Sequence, residues 1–334
     1  MNTVYLILGI LILTITIIEL IWTILWVDRG AGPITSRLSA ACWKGLRKIS
    51  RDNSTIFSIS GPVILSLTLL SWVLLLWAGW VFVFAGGGTP LLDTQNRGEV
   101  DWIDTIYFAG YTVFTLGIGD FVPAEGFWKI ATILASGSGM LFITMSASYV
   151  ISILSGVTEK RSFADTITGL GEDSLEIVKQ AWNGKDFKSI DLFLITYASQ
   201  LSKVTAQHKA YPILHYYHSS STQKALTVAV AVFDEALMML RYGIPEAERP
   251  NPVNLKNARS SVLSYIETNT SAYIKPADQA PPIPDLEHLR QSGVPAVTNE
   301  NFEHAIAELH NRRKKLLGLL EADARSWPSG KNNR

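Results

Sequence analysis

Hydrophobic and polar positions divide the chain into two unlike halves. Three apolar stretches in the first half carry one charge at most: residues 5–27, with Glu19 alone, residues 61–85 and residues 130–157. A helix crosses a bilayer with roughly 20 apolar residues, so each stretch predicts a transmembrane helix. A cleaved signal peptide fits the first poorly, because no basic residue precedes it and the run is too long for a signal core. Between the first two spans, Leu38, Cys42, Leu46 and Ile49 recur at helical spacing over residues 35–49, with Arg37, Lys44, Arg47 and Lys48 on other faces. Such a basic amphipathic helix lies either on a lipid surface or against a soluble domain.

From residue 160 onward charge is frequent. The apolar spacing there predicts helices over 173–182, 190–205, 221–242, 255–268 and 302–324. Ser220 and Gln223 have the spacing of a capping box at the start of the third. That helix is apolar on nearly every side yet contains Asp234 and Glu235, which suits a central helix of a soluble domain better than a fourth span. Pro245, Pro250 and Pro252 break the chain after it, and Pro276, Pro281, Pro282 and Pro284 mark a loop before the last helix. In that last helix Phe302, Ile306, Leu309, Leu316 and Leu320 form an apolar stripe, with Arg312, Arg313, Lys314 and Lys315 between. The stripe packs on its own domain or on a neighbouring subunit.

Total charge adds little: 29 Lys and Arg balance 29 Asp and Glu, which gives no argument for nucleic acid. The single cysteine, Cys42, excludes an intrachain disulfide. The distribution of charge matters more. Residues 28–60 carry Arg29, Arg37, Lys44, Arg47, Lys48 and Arg51 against Asp28 and Asp52, which predicts a cytoplasmic linker. Residues 86–125 carry Asp93, Glu99, Asp101, Asp104, Asp120 and Glu125 against Arg97, which predicts the outer side. The N-terminus is then outside and the tail, after Glu159-Lys160-Arg161, inside. Trp22, Trp26, Trp77, Trp80 and Trp128 fall near the predicted interfaces. No span repeats Arg or Lys at every third position, so a voltage-sensing helix is not expected. Glu19, the one acid deep in a span, is either functional or the donor of a hydrogen bond between subunits.

The chemistry lies between the second and third spans. Residues 101–114 read as a short helix ending directly at Thr115-Leu116-Gly117-Ile118-Gly119-Asp120. A pore for small cations replaces the ion's hydration shell with rings of backbone carbonyls, to which one hydroxyl per chain can add. Gly117 and Gly119 permit the dihedrals that point carbonyls at one axis, Thr115 offers the hydroxyl, and Leu116 and Ile118 are expected to wedge against the supporting helix. Irregular backbone at membrane depth is tolerated where it lines a cavity or is buried in protein.

This segment resembles the potassium-channel pore superfamily, whose pattern Thr-x-Gly-x-Gly-Asp follows a pore helix between two spans. Thr115, Gly117, Gly119 and Asp120 match the fixed positions, Thr112 matches a pore-helix Thr or Ser, and Tyr107 and Phe108 match an aromatic pair that braces the filter; Tyr111 joins them as filter support. The run from Thr115 to Gly126 is most similar to the second pore loop of two-pore-domain potassium channels. The likeness covers about residues 61–161. It departs at Ile118, where most members carry Tyr or Phe. The resemblance implies K+ ions held by the carbonyls of Thr115, Leu116, Gly117 and Ile118 and the Thr115 hydroxyl, with four chains forming a homotetramer. It also makes the third span the inner, pore-lining helix. Gly137 and Gly139 are then candidates for a gate hinge, or for close helix packing, and Ser146 and Ser148 for the inner cavity.

The expected fold is an all-α membrane protein. It comprises an extra N-terminal transmembrane helix (1–27), a basic cytoplasmic linker (28–60), and an ion-channel pore domain (61–160) with a re-entrant pore helix and filter. A mostly helical cytoplasmic domain follows (161–334). The tail shows no strand followed by Gly-x-Gly-x-x-Gly, and Thr168 to Asp173 is too short a match. His208, His215 and His218 cluster in sequence, but without Cys or a spaced Glu they read as ordinary buried histidines rather than metal ligands. No nucleophile–base arrangement is recognisable, so the chain is not read as an enzyme and no organic cofactor is expected. The function expected is passive K+ conduction in a cell membrane, a bacterial inner membrane, with lipids as surroundings. A weakly selective Na+ and K+ channel is one alternative. The other is a membrane-anchored sensor or enzyme whose tail, with an unidentified ligand or protein partner, is the active part.

Overall fold

The computed structural model describes residues 2–26, 30–50, 54–88, 90–95, 99–270 and 274–328. Asp28, Arg29, Arg51, Asp52 and Arg97, used above to orient the chain, lie outside the described residues, as do Val27 and the side chain of Ile49. The chain is mostly helical and divides into two compact units. The first holds Met1–Gly45, Pro62–Leu154 and Ala210–Ile213, and the second holds Leu46–Gly61, Ser155–Lys209 and Leu214–Arg334.

Three helices are long and apolar enough to cross a membrane: α1 (Thr3–Leu25), α3 (Ser54–Ala85) and α5 (Phe127–Thr168). At 1.5 Å per residue, the 32 residues of α3 and the 42 of α5 exceed a hydrocarbon core of about 30 Å. Both helices therefore continue past it, and both pass from one compact unit into the other. Pro62 sits inside α3 at such a passage. Helix α1 packs along α3 through small residues: a Cβ on Gly9 would come within 2.6 Å of the Val83 amide nitrogen, and one on Gly79 within 2.7 Å of Leu13.

Helix α2 (Pro33–Ser50) starts without a capping side chain of its own, because Gly32 precedes it. Glu19 of α1 supplies the cap. Its carboxylate accepts hydrogen bonds from the Ile34 amide (3.1 Å) and the Thr35 amide (2.7 Å), the donors a helix start leaves unsatisfied. A Cβ at Gly32 would lie 2.6 Å from that carboxylate, so the glycine makes room for it. Glu19 thus acts as a helix cap within its own chain. Beyond the cap, Trp72 Nε1 donates to Thr35 Oγ1 (3.2 Å), and the Trp72 ring packs on Tyr149 of α5, itself against Tyr211.

The second unit is built around α8 (Leu226–Met238), every residue of which but Thr227 is buried. A π-helical turn, Met239–Gly243, extends it. Around it lie α6 (Ser174–Ala181), α7 (Asp191–Ala210), α9 (Pro252–Thr270), α10 (Glu287–Gln291), α11 (Asn299–Ile306) and α12 (His310–Ala322). Asp173 caps α6 by accepting the Glu176 amide. The expected capping box at Ser220 and Gln223 is not formed. Helix α8 begins only at Leu226, with Ala225 at its N-cap, and the Gln223 amide instead donates to Glu172 (3.1 Å). The expected last helix is two helices, α11 and α12, separated by a 3-10 turn over Ala307–Leu309. No Gly or Pro marks that break. Phe302, Ile306, Leu316 and Leu320 all join the core of their own unit.

Candidate functional site

Helix α4 (Trp102–Val113) opens with a complete capping box. Asp101 Oδ1 accepts the Asp104 amide (2.8 Å) and Asp104 Oδ2 accepts the Asp101 amide (3.0 Å). Its other end is fixed by the backbone: the Thr115 amide donates to Thr112 O (3.0 Å) and the Leu116 amide to Tyr111 O (2.8 Å). The helix therefore stops where the sequence pattern ends it and delivers the chain directly into Thr115–Asp120.

Residues 115–119 run without helix or strand and are exposed in the single chain. Thr115 (φ +58°), Gly117 (+59°) and Gly119 (+90°) are left-handed, whereas Leu116 and Ile118 are not. A chain whose residues alternate between hands turns successive carbonyls to one side instead of alternating them as a β-strand does. Glycine makes this easy at 117 and 119, but at Thr115 it is held against the Cβ penalty.

Around this segment the aromatic residues divide the support. Phe108 is buried edge-on against Phe84 of α3, with ring centres 5.0 Å apart. The Tyr111 hydroxyl donates to the Phe121 carbonyl. Tyr107 packs on Tyr111, and its hydroxyl lies 3.5 Å from Asp120 Oδ2, a long contact. Thr112 is buried. The far end of the segment is tied down by strands β1 (Leu91–Asp93) and β2 (Phe121–Pro123), which pair antiparallel with Asp93 opposite Phe121. Thr94 Oγ1 donates to the carbonyls of Gly119 (3.2 Å) and Asp120 (2.9 Å). Leu116 and Ile118 do not wedge against α4 within the chain: they are 66% and 50% exposed.

On the other side, α5 approaches α4 at Gly139, where a Cβ would overlap the Val113 carbonyl oxygen; a Cβ at Gly137 would meet nothing within 4 Å. Trp80 Nε1 donates to Ser138 Oγ (2.9 Å), joining α3 to α5 at the same level. Ser146 is buried and Ser148 exposed. The sequence reading missed Thr94, Trp77 and the left-handed Thr115. Trp77 Nε1 donates to Ile106 O (3.0 Å), and its ring fits against Gly110. A tryptophan one turn from another on a span was the available signal for Trp77. A threonine far from the motif in sequence gave none. Among the described residues, no group of three or more His, Cys, Asp or Glu side chains is placed to hold a metal.

Residues 70–156 match the family described as "Ion channel". The match begins within α3, spans α4 and the Thr115–Asp120 segment, and ends on α5. Over 328 residues the chain is 50% identical to a Bacillus subtilis (strain 168) protein named uncharacterized membrane protein YdjJ, covering 98% of this chain and 96% of that one. No solved structure matches the chain.

Proposed function

Since the chain belongs to the family of the membrane protein YdjJ and carries an ion-channel domain, we propose that it is a subunit of a potassium-selective channel in the cell membrane. The observation that carries this reading is the alternation of left-handed Thr115, Gly117 and Gly119 with Leu116 and Ile118, which are not left-handed, directly after a capped short helix. In the pore, K+ is cargo. It exchanges its water for the carbonyls of Thr115, Leu116, Gly117 and Ile118, with Thr115 Oγ1 at the inner end. Helix α4 is the re-entrant pore helix, and the carboxylate of Asp120 raises the cation concentration at the mouth.

One chain supplies one such segment, and a carbonyl cage needs four, so four copies surround one axis. The exposure of Leu116, Ile118, Trp102 and Ile103 favours this, since in a tetramer neighbouring chains cover such side chains. Helix α5 lines the inner pore, with Gly137 as its freer glycine. The excess of acid over base around the 101–125 segment supports an outward mouth, with the tail in the cytoplasm.

A second reading has one observation in its favour. Ile118 brings no ring and no hydroxyl to brace the filter, which favours weaker discrimination against Na+. Purified protein in liposomes tests the primary reading. It should pass K+, and Gly117→Ala or Gly119→Ala should abolish the flux, because a Cβ opposes left-handed φ there. Flux unchanged in both variants would remove the filter assignment.

A further inference from the structure

The second compact unit encloses a cavity of about 40 Å³ that the pore does not use. Lys160, in the last turns of α5, projects into it. The Lys160 ammonium donates to the carbonyls of Leu214 (2.7 Å) and Tyr217 (3.0 Å), which fixes the charge and leaves one N–H over. Arg161 and Lys224 also line the cavity and are exposed at its rim. Asp323 is the one carboxylate in the wall, and it is already engaged by His218 Nδ1 and by the Thr227 hydroxyl. Two further histidines, His208 and His215, and two tyrosines, Tyr217 and Tyr265, with His218 complete the charged and titratable lining. Burial pushes the pKa of His215 down to about 4 and that of His208 well below its usual value, with Lys160 adding to both effects, so neither carries charge at neutral pH. The His215 ring makes no hydrogen bond among the described residues, although it faces this space.

The wall thus holds three cations against one occupied carboxylate. Helix α8 also starts here. Ala225 and Leu226 line the cavity, and no side chain caps the helix, so its free amide groups and positive dipole end face the same volume. A metal ion is opposed by every one of these features, in spite of the three histidines. An anion is favoured by all of them. On this measure a water needs roughly 10–15 Å³, so the space holds a group a few waters in size.

We propose that this cavity binds a small oxyanion, either inorganic phosphate or the phosphoryl group of a small ligand. A tetrahedral oxyanion accepts hydrogen bonds from several directions at once, as donors from Lys160, His215, Arg161, Lys224 and the start of α8 require. A phosphoryl group carries a charge of about −1.5 to −2 at pH 7, closer to the cationic excess than the single charge of chloride.

The test is calorimetric titration of the detergent-solubilised full chain at pH 7 and fixed ionic strength with phosphate, adenosine monophosphate and chloride in turn. Saturable one-site binding of phosphate or adenosine monophosphate is expected. Tighter binding of the nucleotide would identify an organic ligand as the source of the phosphoryl group, and equal or weaker binding would identify free phosphate. The double variant Arg161→Gln, Lys224→Gln alters only exposed side chains and should weaken the binding by roughly tenfold or more. A control with the same charge change, Lys179→Gln, Lys256→Gln, should bind as the parent does. No saturable oxyanion binding, chloride binding as tight as phosphate, or equal behaviour of the two double variants would overturn the proposal.

Discussion

Gly139 of α5 lies so close to Val113 that its missing side chain is filled by the Val113 carbonyl oxygen at the end of α4. Gly137, two residues earlier, meets nothing within 4 Å. The two glycines therefore separate packing from bending. Gly139→Ala must push α5 away from the end of α4, and overpacking of this kind costs about 1–3 kcal/mol or more. It should lower the thermal stability of the purified protein and abolish flux together. Gly137→Ala should leave stability unchanged. If it also alters channel opening, Gly137 is a hinge, and identical losses in both variants would refute the distinction.

The pairing of Glu19 with the start of α2 makes a graded prediction. Glu19→Gln keeps one carbonyl oxygen for the Ile34 and Thr35 amides, whereas Glu19→Ala leaves both without it. A buried unsatisfied donor costs about 1–3 kcal/mol, so thermal unfolding in detergent should rank the parent above Gln and Gln above Ala. A fully stable Ala variant would show that the cap contributes nothing.

In the second unit, adjacent acids of α8 meet adjacent arginines of α12. Arg312 engages both oxygens of Asp234, its Nε 3.1 Å from Oδ2, and Arg313 lies 3.3 Å from Glu235. Ending the chain after Pro295 would strip both acids of their arginine partners, leaving Glu235 only the Ser174 hydroxyl. Breaking a buried pair costs about 3–5 kcal/mol, and two are lost with the core of α11 and α12. The truncated tail should be misfolded or protease-sensitive, whatever the pore does. A truncated protein with a parent-like melting curve would contradict this packing.

Burial raises the pKa of Glu235 to about 7, against the opposing pull of Ser174 and Arg313. The folded state therefore binds a proton more readily than the unfolded chain. Its contribution is fully present below the ordinary Glu range, near pH 4.5, and is lost as pH rises through about 7. Glu235→Gln should flatten that part of the stability profile, where each pH unit between the two pKa values is worth about 1.4 kcal/mol. Parallel profiles for parent and variant would argue that Glu235 stays ionised throughout.

Local signals carried much of the architecture. The three long apolar runs, the short helix over 101–114 and the glycines of 117 and 119 act over a few residues, so sequence spacing alone reports them. Features set by distant partners were illegible. Glu19 finds its donors 15 and 16 residues later, and Thr94 reaches Gly119 across 25. The capping box at Ser220 and Gln223 failed because tertiary packing sets the start of α8 at Leu226 and draws Gln223 to Glu172. Strands β1 and β2, three residues each, are too short to show alternation.

Asp120 sits at the end of the candidate filter, its backbone carbonyl held by Thr94. In the proposed tetramer it would form a ring of mouth charges that acts through the ionic atmosphere, whose screening length is about 30 Å at 0.01 M and about 3 Å at 1 M. Asp120→Asn should therefore reduce conductance most at low salt. An equal reduction at every salt concentration would make Asp120 a structural anchor instead.

The reversal potential of purified protein in a planar bilayer, with K+ on one side and Na+ on the other, tests the central claim most directly. A K+-selective pore places it close to the K+ equilibrium potential, and Gly119→Ala removes the current. A reversal potential near zero would contradict K+ selectivity, and absence of any current from the intact protein would contradict the channel itself.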